Sequence, residues 1–89
     1  MERLPVDTNS NSLQCSYLGY GVNLSAGLFP SEAVGYVRVK NIGEDDAIIR
    51  YSNHGDSDGV VLSPGETEYF YIDPNKQAEL VEGSVNIMY

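Results

Sequence analysis

Residues 33–40 read Ala-Val-Gly-Tyr-Val-Arg-Val-Lys, and they carry the clearest structural signal in the chain. Val37 and Val39 alternate with Arg38 and Lys40, so an extended backbone would place the apolar side chains on one face and the basic ones on the other. Period-two alternation with β-branched residues is typical of a half-buried β-strand. We therefore predict a strand at this point.

Further short strands are predicted after this one. Residues 41–46 indicate a turn, so residues 33–51 are predicted to form a β-hairpin. Pro64 and Gly65 occupy the centre of a predicted type II turn. The other strands are predicted at residues 47–51, 60–62, 67–72, 77–81 and 84–89. Strands separated by turn signals about every 8–12 residues indicate an all-β fold, a small antiparallel β-sandwich or barrel of Ig-like or jelly-roll-like type.

The first third of the chain lacks this regularity. Residues 7–12 read Asp-Thr-Asn-Ser-Asn-Ser, and such side chains favour turns over regular structure. We expect an extended N-terminal arm at residues 1–12, followed by a single sandwich domain at residues 13–89. Residues 13–18 fit a short strand, whereas the glycine-rich residues 19–30 fit either an irregular strand pair or a long packed loop. The sequence leaves open whether these segments complete the sandwich or pair with another chain.

Composition limits the kinds of partner. The 89-residue chain carries 13 acidic and 5 basic residues, for a formal net charge of −8. Binding to a phosphate backbone needs clustered Lys and Arg, so we expect no nucleic-acid partner. The chain shows no apolar leader and no run of about 20 apolar residues, so a soluble protein without a membrane partner is expected. One cysteine, Cys15, excludes a disulfide within the chain and fits a small buried hydrophobe.

The sequence offers no convincing catalytic or metal-binding motif. Residues 53–59, Asn-His-Gly-Asp-Ser-Asp-Gly, are similar to a calcium loop in their oxygen-rich spacing. However, His54 stands where the first carboxylate is required, and Glu66 comes one residue too late for the closing ligand. No catalytic triad order, Cys-x-x-Cys pair or phosphate-binding loop is present. We expect no enzyme activity, no catalytic residues, no cofactor and no metal.

Tyrosine and the few basic residues supply the candidate contacts. Seven tyrosines are many for this length, and they fit either internal packing or contact with a partner. Arg38, Lys40 and Arg50 would form a small basic patch if the predicted hairpin brought their strands together; the alternative is cross-strand pairing with acidic residues. The predicted interaction residues are Tyr17, Tyr20, Tyr36, Arg38, Lys40, Arg50 and Tyr51.

Several segments also resemble a known class of protein. Residues 36–43 form a strand ending in Asn-Ile-Gly, residues 46–51 follow as a second strand, and residues 61–70 pass through Leu-Ser-Pro-Gly-Glu into an aromatic strand. Together with residues 83–87, they resemble small β-sandwich virion proteins of tailed bacteriophages, of the head decoration or cement type. The resemblance implies a non-enzymatic virion protein, made in the host cytoplasm, that binds the major capsid protein or another virion component as a homo-oligomer or on the capsid lattice.

Two other classes of function stay open at this point. A carbohydrate-binding or adhesin-like module would stack sugars on tyrosine and use Asp56 and Asp58 for calcium, although the chain has no Trp. An acidic inhibitor of a nucleic-acid-binding enzyme would use the net charge of −8, although the carboxylates lie in predicted turns.

Overall fold

The computed structural model describes residues 1–4, 18–52 and 59–89, which form two antiparallel β-sheets packed on one core. The prediction of a small all-β sandwich is confirmed. No part of the chain that the structure describes forms a helix able to cross a membrane. The strands are β1 (Glu2–Arg3), β2 (Gly21–Leu24), β3 (Gly27–Leu28), β4 (Gly35–Asn41), β5 (Ala47–Tyr51), β6 (Val60–Leu62), β7 (Thr67–Ile72), β8 (Ala78–Glu82) and β9 (Val85–Met88).

The connectivity differs from the predicted hairpin. One sheet has five strands in the order β1-β7-β4-β9-β2, and the other has four in the order β3-β8-β5-β6. The chain changes sheet at each connection from β2 to β5 and again from β6 to β9. The prediction that residues 33–51 form a hairpin is therefore wrong, because β4 and β5 lie in different sheets. Alternation identifies each strand correctly but carries no information about its neighbour.

Asn41 stabilises the loop that connects β4 in one sheet to β5 in the other. It is a buried polar residue, 1% exposed, at the end of β4. Its Nδ2 donates to the carbonyl oxygens of Asp45, at 2.8 Å, and Leu62, at 3.0 Å, while its Oδ1 accepts from the Gly43 amide at 2.9 Å. One side chain thus shapes the connecting loop and bonds to β6 of the facing sheet. These bonds supply partners that the buried backbone groups need.

The core lies between the inward faces of the two sheets. Val37 and Val39 of β4 are fully buried, as are Phe70 and Ile72 of β7, and all four face the inward side chains of the other sheet. Burying an apolar side chain of this size contributes about 1.5–3 kcal/mol, so strands from both sheets are needed to hold a domain this small. Other buried apolar side chains in the core include Phe29, Ile49, Tyr51, Val60, Leu62, Leu80, Val85 and Ile87.

Two short turns that connect one sheet to the other contain a glycine with positive φ. The predicted Pro-Gly turn is confirmed: the Glu66 amide donates to the Ser63 carbonyl at 3.0 Å, and Gly65 has φ +81°. Gly83, between β8 and β9, has φ +98°, and a Cβ there would lie 2.8 Å from the Ala47 Cα. This second crossing therefore needs both the left-handed backbone and the absence of a side chain.

The N-terminal third contributes an edge to each sheet. β2 pairs with β9 and β3 pairs with β8, so residues 21–28 complete the sandwich within the same chain. β1 pairs with β7, and Arg3 lies 3.6 Å from the Glu68 carboxylate, so the start of the predicted arm lies on the sheet. The remainder of that arm, and residues 13–17 of the predicted short strand, lie outside the described residues.

Candidate functional site

The outward face of the five-stranded sheet brings together three predicted interaction residues. Tyr36, Arg38 and Lys40 alternate along β4 with the buried valines, so all three point away from the core. β7 and β9 flank β4, and their outward side chains lie beside these three. We call this surface the tyrosine–arginine face, and it consists of Tyr36, Arg38, Lys40, Tyr69, Tyr71, Asn86 and Met88.

An aromatic pair forms one end of the tyrosine–arginine face. Tyr36 and Tyr71 are directly opposite in the strand register, and their ring centroids lie 5.5 Å apart in an edge-to-face arrangement. The two residues remain 48% and 38% exposed. Edge-to-face packing fixes each ring against its neighbour, so the pair presents rigid apolar surface with a polar hydroxyl tip. Such side chains lose little conformational entropy when a partner covers them.

A short polar network runs across the middle of the face. Arg38 Nη2 donates to Asn86 Oδ1 at 3.0 Å, and Asn86 Nδ2 donates to Asn23 Oδ1 at 2.9 Å. Arg38 Nε is buried and finds no acceptor among the described residues. A buried donor without a partner costs about 1–3 kcal/mol, so the guanidinium is held in place but not fully satisfied.

The charge of this face opposes the charge of the molecule. Arg38 and Lys40 lie on it, and the β1–β7 register places one acidic residue, Glu2, opposite Tyr71 at its edge. Most of the other acidic residues lie elsewhere, for example in the exposed turn at residues 44–46. On a protein of net charge −8, the face is a local cationic region. It would favour an acidic or neutral polar partner surface over a basic one.

The predicted basic patch is wrong in one member. Arg50 lies on the outward face of the four-stranded sheet, away from Arg38 and Lys40, because β5 does not pair with β4. Its Nε donates to Glu79 Oε1 at 2.9 Å, across the β5–β8 pair. The alternative interpretation, cross-strand charge pairing, is thus confirmed for Arg50.

The structure also removes Tyr51 from the candidate surface. Tyr51 is 4% exposed and belongs to the core, because it falls on the inward face of β5. Its hydroxyl accepts a hydrogen bond from the Asp73 amide at 2.9 Å, and the Lys76 ammonium lies 5.0 Å from its ring centroid. Tyr51 therefore packs and fastens the turn after β7, as buried tyrosines usually do. Tyr17 lies outside the described residues.

Tyr20 is exposed, but at one end of the sandwich and not on the tyrosine–arginine face. It is 61% exposed and packs edge to face against Tyr89, with ring centroids 5.5 Å apart. A recess of about 310 Å³ at this end is lined by Tyr20, Glu32 and Tyr89. Desolvation raises the pKa of the Tyr89 hydroxyl, and the negative charge of Glu32 and then the neighbouring Tyr20 raise it further.

The outward face of the four-stranded sheet has a different, aliphatic character. Leu28, Val61 and Val81 are 56%, 53% and 39% exposed there. A shallow depression of about 480 Å³ lies on this face, and Ile48 and Arg50 contribute to its lining. This second face provides a natural comparison for tests of the first.

Sequence reasoning missed part of the tyrosine–arginine face. Alternation in residues 67–72 places Tyr69 and Tyr71 on one face, which was the available signal, but only the β4–β7 register sets them beside Tyr36 and Arg38. The register likewise brings Met88 beside Arg38 on the other side. Within the described ranges, no three His, Cys, Asp or Glu side chains cluster to hold a metal ion, and residues 53–58 of the calcium-like loop lie outside those ranges.

Comparisons with known proteins do not identify relatives: no protein-family model, curated protein or solved structure matches the chain.

Proposed function

We propose that this protein is a non-enzymatic structural protein of a virus particle, which docks on the capsid or another virion component through the tyrosine–arginine face. The observation that carries the proposal is the exposed Tyr36–Tyr71 pair beside Arg38, on an otherwise acidic molecule. Tyr, Arg and Met are enriched in protein interfaces relative to other surface. All three residue types occur together on this face.

The arrangement of these residues fits the anatomy of an interface. Binding energy concentrates on a few central side chains, most often Trp, Tyr and Arg, surrounded by contacts that exclude water. Tyr36, Tyr71 and Arg38 would be the central contacts, whereas Lys40 belongs to the rim because its ammonium is best left in water. An acceptor from a partner that drew the Arg38 guanidinium outward would also relieve the cost of its unpaired Nε.

The size of the molecule is compatible with docking through one sheet. A standard protein interface covers about 800 Å² on each partner, which is roughly a sixth of the 5124 Å² surface of this protein. The sandwich measures 31 × 31 × 24 Å, so an interface of that area would take up a large part of one broad side. A repeated lattice of such contacts gives strong attachment even when each contact is weak.

The virion assignment rests on the resemblance of residues 36–43, 46–51, 61–70 and 83–87 to small head decoration proteins. The acidic-inhibitor alternative receives less support, because Arg38 and Lys40 give the tyrosine–arginine face the wrong sign for a basic enzyme site. The carbohydrate-binding alternative predicts that the protein binds sugars, whereas the virion proposal does not require sugar binding.

Particle fractionation tests the proposal. Particles released from a culture that carries the gene are separated on a density gradient, and peptides of this chain are measured by mass spectrometry in each fraction. We expect the chain to peak with the capsid protein and to remain there after a salt wash. Recovery of the chain only among free soluble proteins, with intact particles free of it, would refute the virion assignment.

A further inference from the structure

The end of the sandwich that carries Tyr20 and Tyr89 contains a recess that takes no part in docking through the tyrosine–arginine face. Tyr20 and Tyr89 point to the side of the five-stranded sheet opposite to Met88 and Arg38, because they extend the β2–β9 pairing by one residue. The recess is therefore separate from the tyrosine–arginine face. Its lining, among the described residues, is two tyrosine rings and one carboxylate.

Each wall of the recess is held by local backbone bonds. Tyr20 and Tyr89 exchange a reciprocal pair of amide-to-carbonyl hydrogen bonds of 3.0 and 2.9 Å, which fixes the two backbones side by side. Glu32 lies in a tight turn: the Ala33 amide donates to Pro30 at 3.0 Å, and the Val34 amide donates to Glu32 at 2.9 Å. A recess built on fixed backbone needs little reorganisation to accept a ligand.

The chemistry of the lining is that of a site for an organic cation. Aromatic rings attract cations through the negative potential of their faces, and groups of rings are a known device for binding ammonium ligands. Glu32 adds a full negative charge, and no described cationic side chain forms an ion pair with it. The opening of about 310 Å³ is at the lower end of the range of small-ligand sites, roughly 300–1,000 Å³.

We propose that the recess lined by Tyr20, Glu32 and Tyr89 binds an alkylammonium or guanidinium group. The group is supplied either by a lysine or arginine side chain of a partner protein or by a free quaternary ammonium compound. The negative charge of Glu32 contributes to the raised pKa of the Tyr89 hydroxyl, so the two groups lie within electrostatic reach of each other. A cation between them would interact with both.

Aromatic NMR spectra of the full chain provide the test, with n-butylammonium as the probe and n-butanol as its neutral counterpart. We expect saturable shifts of the Tyr20 and Tyr89 ring signals with butylammonium, in the millimolar range, and none with butanol. Glu32→Gln should weaken binding about threefold to fivefold, since an exposed charge contact contributes up to about 1 kcal/mol. Tyr20→Leu should abolish the shifts of Tyr89.

Glu44→Gln is the matched control, because Glu44 is an exposed carboxylate that does not line the recess and the two variants have the same net charge. Equal weakening by both variants would show general attraction to an acidic protein and would overturn the site. Equal response to butanol, or a response to methyl glucoside without one to butylammonium, would overturn the cation assignment. Choline and N-acetyl-lysine amide then identify the source: tighter binding of the first indicates a free compound, and of the second a partner side chain.

Discussion

Replacement of Asn41 by alanine should be among the most destabilising single changes in this domain. The change removes a buried bond to the Leu62 carbonyl and two part-buried bonds, to the Asp45 carbonyl and from the Gly43 amide. Leaving the buried carbonyl unpaired costs about 1–3 kcal/mol, and each part-buried bond contributes about 0.5–1.5 kcal/mol. The expected loss is therefore about 2–6 kcal/mol. Domains have about 0.05–0.15 kcal/mol of stability per residue, so this is a large part of the total.

Asn86→Ala provides the control for this change. Asn86 also uses its side chain in two hydrogen bonds, a part-buried one with Arg38 and an exposed one with Asn23, but neither of them satisfies a buried backbone carbonyl. We expect a loss of about 1 kcal/mol, which is the contribution of one part-buried bond. The assay is urea unfolding followed by circular dichroism, with both variants extrapolated to water. If Asn41→Ala and Asn86→Ala differed by less than about 1 kcal/mol, the role of Asn41 in joining the two sheets would be refuted.

Three further changes test other parts of the structure. Gly83→Ala should lower the free energy of unfolding in urea by at least about 2 kcal/mol more than Gly65→Ala. Both glycines have positive φ, but only at Gly83 would a Cβ also clash with the backbone of the facing strand. Equal losses of stability in the two variants would contradict this. Tyr51→Phe should lower stability by about 1 kcal/mol in thermal unfolding without changing particle binding, since its hydroxyl accepts a backbone amide bond; reduced particle binding by a folded variant would contradict its core role. The pKa of Tyr89 is raised, so folding opposes ionisation of its hydroxyl. The contribution of Tyr89 to the free energy of unfolding is therefore intact below the ordinary tyrosine pKa, and it declines as the pH rises above that pKa. Glu32→Gln should lower the pKa of Tyr89, measured by NMR titration, and an unchanged pKa would place Glu32 outside its electrostatic reach.

Local alternation was enough to find most strands and much of their burial. Val37 and Val39 are predicted on one face and are buried, and Arg38 and Lys40 are predicted on the other face and point outward. These outcomes depend only on the two-residue period of an extended chain, which is a local property. The Pro64-Gly65 turn was equally readable, because proline and glycine restrict the backbone at their own positions.

The pairing of strands could not be read in the same way. The predicted hairpin is wrong because the five-residue connection after β4 passes to the facing sheet. Loops of this length also join hairpin strands, so the length of the connection does not reveal which strand β5 pairs with. The buried hydrogen bond from Asn41 to Leu62 joins residues that are far apart in sequence, so no local sequence pattern predicts it. The same error grouped Arg50 with Arg38. Candidate sites assembled across strands depend on such long-range pairings.

Docking through the tyrosine–arginine face is tested most directly by co-sedimentation of the purified protein with capsid particles, comparing wild type with Tyr36→Ser and Val61→Ser. Tyr36 and Val61 are similarly exposed, at 48% and 53%, but lie on the outward faces of opposite sheets. We predict that wild type and Val61→Ser bind alike, while Tyr36→Ser binds at least about tenfold more weakly, as loss of a central interface tyrosine implies. Unchanged binding by Tyr36→Ser together with loss of binding by Val61→Ser would contradict the account.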